Sequence, residues 1–313
     1  MLKTIIETGI NDRWTANGAS EFEADMAKLT GREATIFMIS SIMGNQVAIR
    51  SHLGIPPYSL LCDTRSHLDP TEAGGVGIWS GVWTITVTPS NGLWLTLEDI
   101  QRHSVVFNEA DSCTCPIKLI YLEVPLGGIV MPLPELRRIC TWAHTHDIKI
   151  HMDGARLWEA VISGVGTLHE YCALPDSINL CLTKGLGGAV GSILVGDKEY
   201  LEQAQRVREA VGGSIRQPGF VAAAASAAVK YTWGKAIDGA DSLLKPCHTR
   251  AAQLAGVWTN RGGRLACPQQ TNMIWIDLDH AGIEEEEWEA EGRKRGLHLH
   301  SSRIIVHFRK QQR

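Results

Sequence analysis

Nowhere does the chain run through about 18 apolar residues without interruption, so no segment has the length of a membrane-spanning helix. A basic excess is missing too. Thirty Lys and Arg stand against 34 Asp and Glu, a net charge of −4, which argues against a dedicated nucleic-acid surface. The opening residues, MLKTIIETGINDRW, have no apolar core of secretory length before Asn11 and Asp12 interrupt them. The eight cysteines are scattered over 313 residues, which favours free thiols in a reducing compartment over a disulfide framework. Internal repeats, low-complexity tracts, a P-loop and a G-x-S-x-G elbow are all absent. What remains is ordinary globular composition, 44% hydrophobic and 20% charged, with a cytoplasmic enzyme as the expectation.

Short apolar runs alternate with longer periodic ones. Ser59 to Cys62, Leu119 to Leu122, Ile148 to His151, Ile178 to Leu182 and Ser192 to Val195 read as buried strands. Between them lie helical patterns at Met43 to His52, Leu97 to Val106, Pro134 to Asp147, Ala155 to Ser163 and Tyr200 to Ala210. Strands alternating with helices imply an α/β fold with a mostly parallel central sheet. After residue 240 the rhythm changes to a helix from Ala240 to Thr259, a segment from Asn272 to Leu278, and an acidic helix from Ile283 to Arg295. Two short strands follow, Leu297 to His300 and Arg303 to Phe308. Residues 1–240 are expected to form a large domain and 241–313 a small α+β C-terminal domain. The run Glu284 to Glu287 reads as a solvated helix N-terminus.

In open α/β sheets, ligands sit outside the carboxyl ends of the strands. Two segments put reactive groups there. In His151-Met-Asp153-Gly-Ala-Arg156 an acid and a guanidinium stand three apart where a strand gives way to a helix, with Gly154 permitting the turn. The plainer reading makes Asp153 a helix cap and Arg156 a surface residue. In Thr183-Lys184-Gly-Leu-Gly a lysine opens a Gly-rich loop directly after a strand, where missing side chains allow close approach of a cofactor. The plainer reading is a solvated loop lysine. Gly185, Gly187 and Gly191 have the wrong spacing for a dinucleotide fingerprint. A lysine that can form an imine with an aldehyde, paired with an acid that can hold a pyridine nitrogen protonated, is the combination used by pyridoxal 5'-phosphate (PLP).

From about Glu21 to His307 the sequence resembles the threonine aldolases, in their fungal-like low-specificity branch, within the fold-type-I PLP-dependent enzymes. The resemblance rests on Leu29-Thr-Gly-Arg-Glu-Ala34, Met43-Gly-Asn-Gln46, Glu72-Ala-Gly-Gly75, His151-Met-Asp-Gly-Ala-Arg156 and Thr183-Lys-Gly-Leu-Gly187. Further on it rests on Gly212-Gly-Ser-Ile-Arg-Gln217, Thr271-Asn-Met-Ile-Trp-Ile276 and Arg303-Ile-Ile-Val-His307. It implies Lys184 as the Schiff-base lysine, Asp153 as the partner of the pyridine nitrogen and His67 as the imidazole stacked on the ring. It implies Ser40, Ser41 and Ile42 at a phosphate cradle, where a helix N-terminus binds anions. Arg156 resembles a residue that lies beside the cofactor and helps to bind the substrate carboxylate. Arg303 resembles the small-domain arginine that clamps that carboxylate. Arg216 resembles a phosphate contact from a neighbouring subunit, which implies a homodimer or homotetramer.

Four departures from the family pattern stand out. Ser41 and Ile42 replace Gly and Thr in the cradle, so one hydroxyl is lost. A Ser-Asp-Thr segment found near the start of relatives is absent. Glu123-Val124-Pro125-Leu126 replaces Glu-Asn-Thr, leaving Val124 and Leu126 without side-chain hydrogen bonds for a substrate hydroxyl. Leu68-Asp-Pro-Thr71 follows His67 where relatives carry aromatic or β-branched residues.

The implied activity is cleavage of a β-hydroxy-α-amino acid, such as L-threonine or L-allo-threonine, to glycine and an aldehyde. The alternatives are an alanine-type racemase on the same scaffold and a truncated, non-catalytic subunit. The partner is a small amino acid, with no nucleic acid and no membrane. A metal at His144, His146, His151 and Asp153 is disfavoured, because His144 and His146 do not share a helix face. Cys113-Thr-Cys115 lacks C-x-x-C spacing. Trp79, Trp83 and Trp94 read as core or interface packing, and His298, His300 and His307 as packing residues.

Overall fold

A computed structural model describes residues 21–106, 112–216, 218–234, 236 and 238–308; the opening residues 1–14, and Gln217 of the glycine-rich motif, lie outside them. Helix α1 (Glu21–Thr30) leads into β1 (Ala34–Met38), followed by α2 (Ser41–His52) and β2 (Ser59–Asp63). Two short helices, α3 (Leu68–Thr71) and α4 (Gly75–Ser80), precede β3 (Trp83–Val87). Next come α5 (Leu97–His103), β4 (Ile117–Glu123), α6 (Leu133–Thr145), β5 (Lys149–Gly154), α7 (Leu157–Ile162) and α8 (Leu168–Cys172). Strands β6 (Ser177–Cys181) and β7 (Ser192–Gly196) then lead to α9 (Lys198–Ala210) and α10 (Gly219–Thr232).

These strands form one seven-stranded sheet in the order β1-β7-β6-β5-β4-β2-β3. Only β7 runs against its neighbours, so the carboxyl ends of the other six open on one edge. Every residue of β2, β6 and β7 is buried, because helices cover both faces. That is why they read as unbroken apolar runs. Strand β3 escapes that reading: it is an edge strand and mostly unburied. Trp83 at its start and Trp79 shortly before it lie exposed, whereas Trp94 packs on the core. Trp158 and Trp233 meet edge to face in the core at 4.8 Å, tying α7 to the end of α10.

The last part of the chain builds a second, two-stranded sheet. Helix α11 (Lys245–Thr259) precedes β8 (Met273–Trp275), α12 (Leu278–Ala281), α13 (Glu285–Lys294) and β9 (Arg303–Ile305). Strands β8 and β9 pair antiparallel, and Ala251, Ala255, Ile274 and Ile276 form a separate apolar cluster beneath them. Helix α11 starts five residues later than its periodicity suggests. Ser242 Oγ and Leu243 N both donate to Thr232 O, which holds the preceding residues in a turn. Leu297 to His300 is not a strand. Leu299 packs so closely on Gly292 of α13 that a Cβ there would stand 2.8 Å from Leu299 Cδ1, and the segment follows that helix instead of pairing. No helix among the described residues is long and apolar enough to cross a membrane. The eight cysteines form no disulfide among the described residues.

Candidate active site

Strand β5 carries Asp153 to the carboxyl edge. The strand runs on to Gly154 rather than stopping at His151, because Met152 and Asp153 continue the parallel pairing with β4 and β6. Gly154 is therefore not a turn glycine. A Cβ there would stand 2.9 Å from Leu180 Cδ2 and 3.2 Å from Asn179 O, so the close approach of β6 disfavours a side chain. Nor is Asp153 a helix cap: α7 begins at Leu157, with Arg156 in the cap position. The buried Asp153 carboxylate takes three donors. Ala155 N donates to Oδ1 at 2.8 Å, and the Tyr121 hydroxyl and Asn45 Nδ2 donate to Oδ2 at 2.8 and 2.9 Å.

Asn45 is the hub of this network. Its amide nitrogen also faces Glu72 Oε1 at 3.0 Å, and its oxygen accepts from Asn179 Nδ2 at 2.8 Å and His151 Nε2 at 3.3 Å. Burial pushes His151 down to about 4, so its ring is neutral. Since Asn45 Oδ1 can only accept, the proton of that neutral ring sits on Nε2, and Nδ1 accepts from the Ser177 hydroxyl. Burial, with Asp153 second, raises the Tyr121 phenol well above its ordinary value, which keeps it a donor.

Helix α2 brings its N-terminus to the same edge. Ser40 caps it by accepting from Met43 N at 3.1 Å. The Ser41 hydroxyl is buried without a hydrogen-bond partner among the described residues, and Ile42 is exposed. Asn179 Nδ2 donates to Ser41 O at 2.7 Å, linking this helix end to the Asp153 network. The approach is close enough that a Cβ on Gly44 would stand 2.4 Å from Asn179 Oδ1.

His67 lies in the loop after β2, half-exposed. Its Nδ1 faces Glu72 Oε1 at 3.1 Å, and its backbone N–H donates to Glu123 Oε2 at 2.9 Å. Lys184 follows β6, partly buried, and its carbonyl accepts from His307 Nε2 at 3.3 Å. Burial, and next the like charge of Arg303, lowers Arg156 from the usual guanidinium value. Arg303 lies over the Trp275 ring, 5.7 Å from its centroid. Together with Arg65, His67, Glu123 and Leu126, Arg303 and Trp275 line a cleft of about 510 Å³ between the two sheets. Burial, and next Asp153, raises Glu123 to about 8 while the His67 N–H, Lys184 and Arg156 pull the other way.

The structure thus gathers Asp153, His67, Lys184, Arg156 and Arg303 at one edge, with Ser40, Ser41 and Ile42 at the adjoining helix end. Arg216 is exposed and has no ion-pair partner among the described residues. Asn45, expected from the resemblance only as the end of the phosphate-cradle segment, instead donates to Asp153, and Glu72, Tyr121, Glu123 and Asn179 had been given no individual role. One signal was available: Asn179 is a polar residue inside an otherwise apolar strand, and buried polar groups are hydrogen-bonded. His307, read as packing, reaches the Lys184 carbonyl. The histidines weighed as metal ligands are dispersed, with His144 Nε2 on Asp176 Oδ2 at 3.0 Å and His151 on Ser177 and Asn45.

The donor set fits PLP. An unpartnered hydroxyl at the N-terminus of a 12-residue helix suits a phosphate, a buried carboxylate suits a pyridine nitrogen, and a lysine stands at the end of the neighbouring strand. Residues 11–281 match the family model described as beta-eliminating lyase. The chain is 46% identical over 287 residues to aldolase vrtJ of Penicillium aethiopicum, covering 91% of this chain and 72% of that protein. It is 36% identical over 309 residues to alanine racemase TOXG of Cochliobolus carbonum, covering 98% and 79%. It is 37% identical over 310 residues to the low specificity L-threonine aldolase of Saccharomyces cerevisiae, covering 98% and 78%. The threonine aldolase of Leishmania major has the same fold, with a TM-score of 0.81 at 20% identity over 99% of this chain and 91% of that one. The chain belongs to the threonine aldolase family of beta-eliminating lyases, PLP-dependent enzymes of fold type I.

Proposed function

We propose that the protein cleaves a β-hydroxy-α-amino acid, of the type of L-threonine or L-allo-threonine, to glycine and an aldehyde. The observation that carries this reading is the joint placement of Lys184, Asp153, Arg156 and Arg303 around one edge of the sheet. PLP supplies an aldehyde that takes up the amino group and a ring that accepts electrons from Cα. Lys184 would hold the cofactor through its amine and Asp153 would keep the ring nitrogen protonated. Arg156 and Arg303 bind the substrate carboxylate, since two like charges close enough to disturb one another are relieved by an anion between them. His67, with Nδ1 held by buried Glu72, would pack on the ring, and Ser40, Ser41 and the backbone at Ile42 would bind the phosphate.

The racemase reading is supported by the likeness to TOXG and by the apolar side chains of Val124 and Leu126. Incubation with L-threonine, L-allo-threonine and L-alanine separates the two. Glycine and an aldehyde from either hydroxy acid support the lyase; D-alanine from L-alanine, without aldehyde, supports the racemase.

The working enzyme is a homodimer or homotetramer in the cytoplasm. With Ile42 in the cradle the phosphate lacks one hydroxyl, and the exposed Arg216 of a second copy supplies a charge-assisted donor. Arg216→Ala is expected to weaken PLP binding about tenfold or more, roughly 1.4 kcal/mol, in a titration run beside light scattering. A monomer with tight PLP, or unchanged affinity in the variant, contradicts the shared site.

A further inference from the structure

Parallel pairing sets Glu123 of β4 beside Asp153 of β5 in register, so two acidic side chains end on the same edge. Their surroundings differ. Among the described residues Asp153 receives three donors, whereas Glu123 receives one, the His67 backbone N–H. Two neighbouring acids with unequal donor sets divide their roles: the well-served one remains an acceptor, and the other holds a proton. Glu123 also lines the cleft, on which His67 and Arg303 converge.

We propose that Glu123 is the acid that delivers a proton to Cα of the amino acid held in this cleft. The inference rests on the reading of PLP chemistry at Cα, and it serves the lyase and the racemase alike. In the lyase reaction the β-hydroxyl loses its proton, the Cα–Cβ bond breaks and the aldehyde leaves. The O–H bond of Glu123 then breaks as a C–H bond forms at Cα. The carboxylate recovers the proton that the hydroxyl released, so the cycle consumes none.

The charged and titratable groups around Glu123 come from every side. Asp153 reaches it from β5, Tyr121 from β4, Lys184 from the loop after β6 and Arg156 from the turn before α7. Arg65 and His67 face it from the loop after β2, and Arg303 stands across the cleft on β9. Burial and Asp153 outweigh the cations, which places the loss of the proton at about pH 8.

The test uses the PLP-loaded protein in deuterated water with glycine, following loss of the α-proton by NMR. The wild type is expected to exchange this proton, at a rate that rises with pH through about 8, because removing the α-proton is the delivery step run backwards and needs the Glu123 carboxylate. Glu123→Gln keeps the size of the side chain and an oxygen for the His67 N–H. It is expected to bind PLP with the wild-type absorbance and to exchange about 10²-fold more slowly. Infrared spectra of the PLP-free chain add a readout that needs no catalysis: a protonated-carboxyl band, lost above about pH 8 and missing from Glu123→Gln. Exchange in the variant within about threefold of wild type, or no such band in the wild type, overturns the assignment. A wild-type holoenzyme that exchanges no α-proton overturns the Cα chemistry itself, and the proposal with it.

Discussion

Asp153→Asn is expected to bind PLP and to turn over about 10³-fold more slowly, roughly 4 kcal/mol of added barrier. An amide at 153 cannot hold a pyridine nitrogen protonated, so the ring stops acting as an electron sink. Around the carboxylate the change is unavoidable. All three protein partners donate to it, from Ala155, Tyr121 and Asn45. The NH₂ of an asparagine must therefore meet a donor whichever way it turns. Glycine and aldehyde release measures turnover, and the visible absorbance of the same sample measures bound cofactor. A loss smaller than about tenfold, with PLP bound, contradicts the role given to Asp153.

Lys184→Ala is expected to abolish cofactor fixation by borohydride, and amino-acid turnover with it. Lys184 follows β6 at the carboxyl edge, where its charge is felt by Glu123. Other strand lysines face the opposite edge. Lys118 lies near the start of β4, 3.9 Å from Asp147, and Lys149 begins β5 and reaches Asp176 at 3.2 Å. Neither can replace an amine at the cleft. Among the described residues the hydrogen bonds of Lys184 run through its carbonyl, which accepts from Gly187 N at 3.0 Å and His307 Nε2 at 3.3 Å, so the variant is expected to unfold at the wild-type temperature. Retention of borohydride-fixed PLP by a folded variant contradicts the assignment.

Strands β2 and β4 to β7 were legible because burial on both faces leaves an unbroken apolar run. Strand β1 lies between the Leu29 to Ala34 motif and the Ser40 cradle and was not read as a strand, and β3 lies at an edge where burial no longer selects its residues. The reactive pair Lys184 and Asp153 was legible because each follows or ends a strand, and strand ends are where such sheets bind ligands. The network that orients Asp153 was not legible. Asn45 meets Glu72, Asp153 and Asn179 across 27, 108 and 134 residues of chain, and spacing carries no information over such distances. The pairing of Glu123 with Asp153 is likewise a product of strand register, which is fixed only when β4 and β5 lie side by side. The exposed Arg216 is harder still, since its proposed ligand belongs to another copy of the chain.

The most direct measurement loads the wild-type protein with PLP, reduces it with borohydride, digests it and maps the modified peptide by mass spectrometry. The account predicts one phosphopyridoxyl group, on Lys184. A label on any other lysine, or a folded protein that takes up no label, would contradict it.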